Sequence, residues 1–360
     1  MPDRKRLERI LDRARWAPSG DNVQPWKFGI LSDDRVVIYG ADTRRTVVYD
    51  LQGHASQIAV GALLESVAIA ASAEGLSLSI DRRPDPSEDE NPEHPVFEIV
   101  FSESPNILSD PLSLFLETRC VNRRPFGTAP LTSEEKAVLE GCLPEGYSLH
   151  WMEGGRQRLR MADINQLSGK LRLTIPEAYA VHREIIEWNA TVSLDRVPDR
   201  ALGLPALSLP FMHWIMGSWE RVTFFNRFLG GTLLPRLLLD LLPGFFCSAH
   251  FFLLAPTPPR RLDDYVAGGR ALARFWLGCA SLGLQFQPEM TPLIFGTYVG
   301  EGLSFSRAPH AQGLAERIAK KLISLGGDKV GRSVFLGRIG RGPLPVARSL
   351  RKPLASLLRA

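Results

Sequence analysis

Between Gln52 and Glu74 apolar residues lie nearly all round a helical wheel: Ala55, Ile58, Ala59, Ala62, Leu63, Val67, Ile69 and Ala70. A helix with no polar face must be enclosed by the rest of the fold. Gly75 ends it, since glycine takes the left-handed conformation of a helix end without steric cost, and Leu76–Asp81 follows as a strand. A second buried helix is expected over Gly268–Gly283, ending Ser281-Leu282-Gly283-Leu284 much as the first ends Ala73-Glu74-Gly75-Leu76. The order helix, strand, buried helix, Gly-Leu, strand thus occurs twice, about two hundred residues apart. By itself this reads as a weak internal duplication of an α+β unit, or as two apolar helices alike by chance.

The other elements fall around these two. Residues 3–16 form an amphipathic helix with Asp3 as N-cap, stopped by Pro18. Trp26–Leu31 and Arg35–Tyr39 are strands around the turn Ser32-Asp33-Asp34, and Val96–Phe101 is a strand beyond a charged, proline-rich loop at 82–95. Further on come a capped helix from Thr132-Ser133-Glu134-Glu135, a strand Tyr147–Met152 and a helical stretch 156–189 broken near Ile175-Pro176. An irregular apolar stretch 190–245, a strand His250–Ala255, a basic helix 314–325 and a strand Ser333–Gly340 complete the reading.

With 360 residues, 44% of them hydrophobic and 23% charged, the chain has material for two halves with ordinary cores. Cys120, Cys142, Cys247 and Cys279 form no C-x-x-C pair and the histidines show no ligand spacing, so reduced thiols and no metal are expected. The charged start Met1-Pro2-Asp3-Arg4-Lys5-Arg6 is not a signal peptide, which points to a cytoplasmic protein. Ala201–Trp219 carries no formal charge but is broken by Pro205 and Pro210, so a buried segment or lid is expected there, not an integral membrane span. After Asp328 no acidic residue occurs, while eight Lys and Arg follow. That tail could be simply solvated, could face lipid or nucleic acid, or could send arginines to a phosphate; it lacks the interleaved aromatics that suit single-stranded nucleic acid, and no nucleic-acid partner is expected.

Two segments bear on chemistry. In Ala17–Trp26 a helix stop leaves extended backbone with free polar groups, flanked by Ser19 and Asn22. It can be a turn, or one edge of a planar heterocycle's site. In Thr118–Phe126, Arg119, Arg123 and Arg124 with Asn122 crowd positive charge, as a salt-bridged surface turn or a phosphate site does. Dinucleotide, P-loop and nucleophile-elbow fingerprints are missing.

Together these segments resemble the nitroreductase family of FMN flavoproteins. The match is specific at Ala17, Pro18, Ser19, Asn22, Gln24, Pro25 and Trp26, and looser at Arg119–Phe126; Val334–Gly340 and Arg348-Ser349-Leu350-Arg351 look like the family's closing strand and basic end. In the family the arginine motif precedes the Pro-Ser loop, whereas here it follows a hundred residues later. That order is similar to a fused, pseudo-dimeric branch in which each half kept one element of a single flavin site. The resemblance implies an α+β, nitroreductase-like fold of two duplicated halves, each a mixed or antiparallel sheet packed by helices. The halves would be 1–115, with the Pro-Ser loop, and 116–360, with the arginine motif, a lid-like insert at about 190–245 and the basic tail.

It implies further that Arg119, Asn122, Arg123 and Arg124, with Arg348 and Arg351, hold the phosphate and ribityl chain, while Pro18, Ser19 and Asn22 line the isoalloxazine. No side chain need be catalytic, because the flavin N5 carries the hydride. The expected activity is NAD(P)H-dependent reduction of nitro, quinone-like or other conjugated small molecules by two-electron ping-pong, in a chain able to act as a monomer. The alternative is a protein that sequesters flavin beneath a lid without turnover.

Overall fold

The computed structural model describes residues 2–83, 94–104 and 106–359; most of the loop expected at 82–95 lies outside these residues. Helix α1 (Arg4–Ala14) is capped by the Asp3 carboxylate, which accepts from Arg6 N at 2.8 Å, and buries Leu7, Ile10, Leu11 and Ala14. Strands β1 (Trp26–Ser32) and β2 (Arg35–Gly40) form a hairpin, helix α2 (His54–Ala73) follows, and β3 (Leu76–Arg83) and β4 (Val96–Glu103) complete a four-stranded antiparallel sheet of order β1-β2-β4-β3.

The same plan then recurs. Helix α3 (Ser133–Gly141) begins with a capping box between Thr132 and Glu135. Strand β5 (Ser148–Met152), strand β6 (Ala249–Leu254), helix α10 (Leu262–Ser281), strand β7 (Gln285–Pro288) and strand β8 (Ser333–Gly340) follow. The second sheet has the order β5-β6-β8-β7, antiparallel throughout, strand for strand the order of the first. Helices α2 and α10 are both 20 residues long, and their first residues, His54 and Leu262, lie 208 positions apart. Gly75 and Gly283, which end them with φ of 71° and 68°, keep the same offset. The fold is therefore α+β, with two matching antiparallel units in one chain.

The units meet where α2 crosses α10. A Cβ on Gly61 would lie 1.9 Å from the Val266 carbonyl oxygen, and one on Gly269 would lie 2.0 Å from that of Ile58. Gly61 and Gly269 again differ by 208 positions, as do Ile58 and Val266, so the contact is reciprocal like that of a two-fold dimer. By length and hydropathy α2 could cross a membrane, but its residues are enclosed by α10, α1 and the first sheet.

The units differ in what joins their strands. The two-residue turn of the first hairpin is replaced between β5 and β6 by 96 residues. These hold α4 (Gly155–Thr174), α5 (Pro176–Ile185), α6 (Leu209–Met216), α7 (Trp219–Phe228), α8 (Leu233–Arg236), a π-turn at Leu237–Leu241 and α9 (Leu242–Phe245). The stretch 190–245 expected to be irregular is thus largely helical, because Ser218 caps α7 and Pro210 sits in the first turn of α6, where no hydrogen bond is lost. Between β7 and β8 stand α11 (Thr291–Gly300), which sequence periodicity did not reveal, and α12 (Ala311–Gly326). The basic end pairs Arg348–Ser349 with Val192–Ser193 of the insert and then reaches the first unit, where Arg359 N donates to Phe28 O at 2.7 Å.

Gly61→Ala must push a methyl into a backbone carbonyl and is expected to destabilise at the upper end of the about 1–3 kcal/mol of an overpacked core. Gly283→Ala meets open space and should cost only the about 1 kcal/mol of its left-handed backbone. Urea unfolding of the two variants tests this order, and the reverse order would remove the crossing as the constraint.

Candidate functional site

Two adjoining cavities lie where the units and the insert meet. The larger is about 400 Å³, within the range of small-molecule and cofactor sites. Ala55, Ala59 and Ala62, spaced along one face of α2, give it a smooth wall suited to a flat ring. Leu272 and Trp276 of α10 and Met212 and Met216 of α6 close other sides. The smaller, about 70 Å³, is lined by Arg119, Arg123, Arg348 and Arg351 with Ser19 and Asn22. Pro18, Ser19, Asp21, Val121, Arg123, Val197 and Trp276 border both.

The loop after α1 is held in an uncommon shape, with positive φ at Asp21, Asn22 and Gln24. Such conformations persist only where the surroundings enforce them. Ser19 Oγ accepts from Gln24 N at 3.0 Å; Gln24 Nε2 donates to Leu194 O at 2.9 Å, and Gln24 Oε1 accepts from Lys352 N at 2.9 Å. The loop of the first unit is thus fixed by the insert and the tail of the second.

Each guanidinium at the small cavity is held by main-chain carbonyls. Arg119 Nη2 donates to Trp16 O at 2.7 Å and stacks over Trp276 at 4.4 Å. Arg351 Nε donates to Ala17 O at 3.0 Å, Arg348 Nη2 to Glu117 O at 2.6 Å and Arg123 Nη1 to Ala201 O at 3.2 Å. Among the described residues no carboxylate pairs with any of the four. Burial, with Arg348 adding to it and Cys120 opposing, lowers Arg119 to about 10. Burial also holds Arg351 well below its ordinary value, helped by Arg119, Arg348 and Arg15. Clustered, desolvated positive charge of this kind calls for a bound anion. Asn22 Oδ1 and Arg348 Nε, both buried here without a protein partner, add one acceptor and one donor. The residues present fit a phosphorylated ligand with a planar ring.

The structure separates the residues singled out in the sequence. Pro18, Ser19, Arg123 and the alanine wall lie at the large cavity; Asn22, Arg119, Arg348 and Arg351 lie at the small one. Asn22, expected beside the ring, therefore sits among the arginines. Asn122 and Arg124 line neither cavity. Asn122 is buried and donates to Gln285 Oε1 and Pro343 O at 3.0 and 2.9 Å, tying the arginine segment to the second sheet. Arg124 is exposed, and its carbonyl accepts from Arg338 Nη2 at 2.8 Å.

The polar end of the large cavity escaped sequence reasoning. Tyr49 Oη and His182 Nε2 are 3.1 Å apart, and Arg172 Nη2 donates to Asp240 Oδ1 at 2.7 Å. Burial, then Arg172, lowers His182 to about 3, while burial raises the Tyr49 phenol, so both stay neutral and can orient a carbonyl, nitro or carboxylate group. Burial raises Asp240 to about 6 against the pull of Arg172. Asp240 was the legible member: a single acid inside Leu237-Leu238-Leu239-Asp240-Leu241-Leu242 needs a buried partner.

The wall that the 208-residue offset relates to Ala55, Ala59 and Ala62 consists of Asp263, Ala267 and Arg270. There Arg82 pairs with Asp263 at 3.0 Å and Arg270 with Glu65 at 2.8 Å. Charged side chains thus occupy the surface that is smooth in the first unit.

A sequence model described as "Nitroreductase family" matches residues 1–57, from α1 through the Pro-Ser loop to the first turn of α2. The chain is 24% identical over 352 residues to an uncharacterized protein, MT1398, of Mycobacterium tuberculosis (strain CDC 1551 / Oshkosh), covering 96% of this chain. The chain spans about half, 47%, of that relative's length. Among solved structures, a nitroreductase-like family protein from Bacillus cereus aligns with a TM-score of 0.35 and 12% identity, over 70% of this chain and 96% of that one.

Folding keeps His182 neutral where an unfolded chain binds a proton below about pH 6.5. Its contribution to stability is present above that pH and is lost as the pH falls toward 3. His182→Gln should flatten the acid side of the stability profile relative to the parent, in which His54, lowered to about 4 by burial, acts in the same sense. An unchanged slope in urea unfolding across this range would take His182 out of the balance.

Proposed function

We propose that the chain is an FMN-dependent oxidoreductase that takes hydride from NADH or NADPH and passes it to a nitro, quinone-like or similarly conjugated molecule. The observation that carries this reading is the meeting of four arginines, none in ion-pair contact with a carboxylate among the described residues, with a cavity walled by the alanines of α2. Arg119, Arg123, Arg348 and Arg351 would hold the phosphate, and Ser19 and Asn22 the adjoining polar chain. Ala55, Ala59, Ala62 and Pro18 would face the ring. When bound, FMN supplies the hydride chemistry at its N5. The protein contributes position, exclusion of water and polar groups that orient the acceptor, among them Tyr49 and His182. The charged counterpart wall at Asp263 and Arg270 supports one flavin per chain.

Purified protein should be yellow, hold one FMN per chain and bleach when NADH or NADPH is added without air. Arg119→Ala and Arg123→Ala should release the FMN, whereas Arg124→Ala should keep it. Protein that stays colourless and ignores added FMN would overturn the assignment. Two FMN per chain would sink the single split site, and yellow protein reduced by dithionite alone would speak for sequestration.

A further inference from the structure

Helices α6 and α7 and the start of α8 carry apolar side chains on their outer side. Leu207, Phe211, Trp214, Phe224, Phe228 and Leu233 are between 50% and 96% exposed. The aromatic members are continuous: Phe211 to Trp214 at 6.1 Å, Trp214 to Phe225 at 5.9 Å, Phe225 to Phe224 at 5.9 Å and Phe224 to Phe228 at 5.2 Å. Six large side chains about half exposed present on the order of 600 Å² of apolar surface, at the top of what a monomer usually shows. The exposure does not come from loose packing. Tyr179 donates to Met216 O at 3.0 Å and packs on Trp219, and Asn226 Nδ2 donates to Leu173 O at 2.7 Å. Met212 and Met216 of α6 meanwhile face the cavity.

The charges on this face are mostly positive. Arg221 lies over Trp214 at 4.8 Å and Arg227 over Phe228 at 5.3 Å, both exposed. Between residues 201 and 239 the one acidic residue is Glu220. A second copy seated by two-fold symmetry would lay this arginine-rimmed face against itself. A phospholipid surface with anionic headgroups meets the same face without repulsion. Tryptophan and phenylalanine then settle at the acyl boundary while the arginines reach phosphates.

We propose that the α6–α7–α8 face is a membrane-docking surface that seats the folded chain on an anionic phospholipid bilayer without spanning it. The proposal stands apart from the flavin reading, since none of these side chains holds the ligand.

The test is sedimentation of the full chain with vesicles of phosphatidylcholine alone and of phosphatidylcholine containing phosphatidylglycerol. Binding is expected to the second and to weaken with salt. The pairs W214S/F228S and R221Q/R227Q should each reduce it by roughly tenfold, with melting and flavin content unchanged. Hydrogen exchange of the unaltered chain gives a second reading that does not depend on a variant folding: residues 207–233 should exchange more slowly on anionic vesicles. Absence of sedimentation with anionic vesicles, or exchange that vesicles leave unchanged, would overturn the proposal. So would a concentration-dependent dimer that W214S/F228S dissociates, which would give the face to a second copy.

Discussion

The closeness of α2 and α10 depends on two missing side chains. Backbone meets backbone only because neither Gly61 nor Gly269 has a Cβ, and the same crossing that buries two apolar helices sets how far apart the two sheets lie. Ala55, Ala59 and Ala62 follow from the same helix: a residue enclosed on every side either packs or borders a space, and these three border one. The cavity is thus a by-product of how the halves are joined.

What the fold does with charge complements this. Arginines buried against carbonyls, with no carboxylate in ion-pair contact, are costly to fold around. Across the pseudo-two-fold, Arg82, Asp263, Arg270 and Glu65 pair among themselves. One copy of the duplicated surface has kept unpaired charge near a smooth wall, while the other has closed its charges into pairs. That division fits the split order of the two motifs along the chain.

Local chemistry made much of this legible in the sequence. The helix ends at Gly75 and Gly283, the cap at Asp3, the stop at Pro18 and the alternating strands all declare themselves within a few residues. That Arg119 and Arg123 share a cavity with Arg348 and Arg351 agrees with what the family resemblance implied, whereas charge alone left a solvated tail and a surface turn equally open. Asn122 and Arg124 were less readable, since their neighbours in sequence do not reveal that Gln285, Pro343 and Arg338 claim them. Tyr49 and His182, or Arg172 and Asp240, become partners only when distant segments close on each other. The helices between 206 and 245 hid their nature because many of their apolar residues point outward as well as inward, which blurs the one-sided pattern from which periodicity is read.

The different lengths of equivalent connections have a mechanical consequence. Where the first unit turns between its hairpin strands in two residues, the second extends into a roof of short helices over the same cavity whose floor is locked by the glycine crossing. Floor and roof are therefore built differently: backbone meets backbone in the one, whereas side-chain hydrogen bonds to α4 and α5 hold the other.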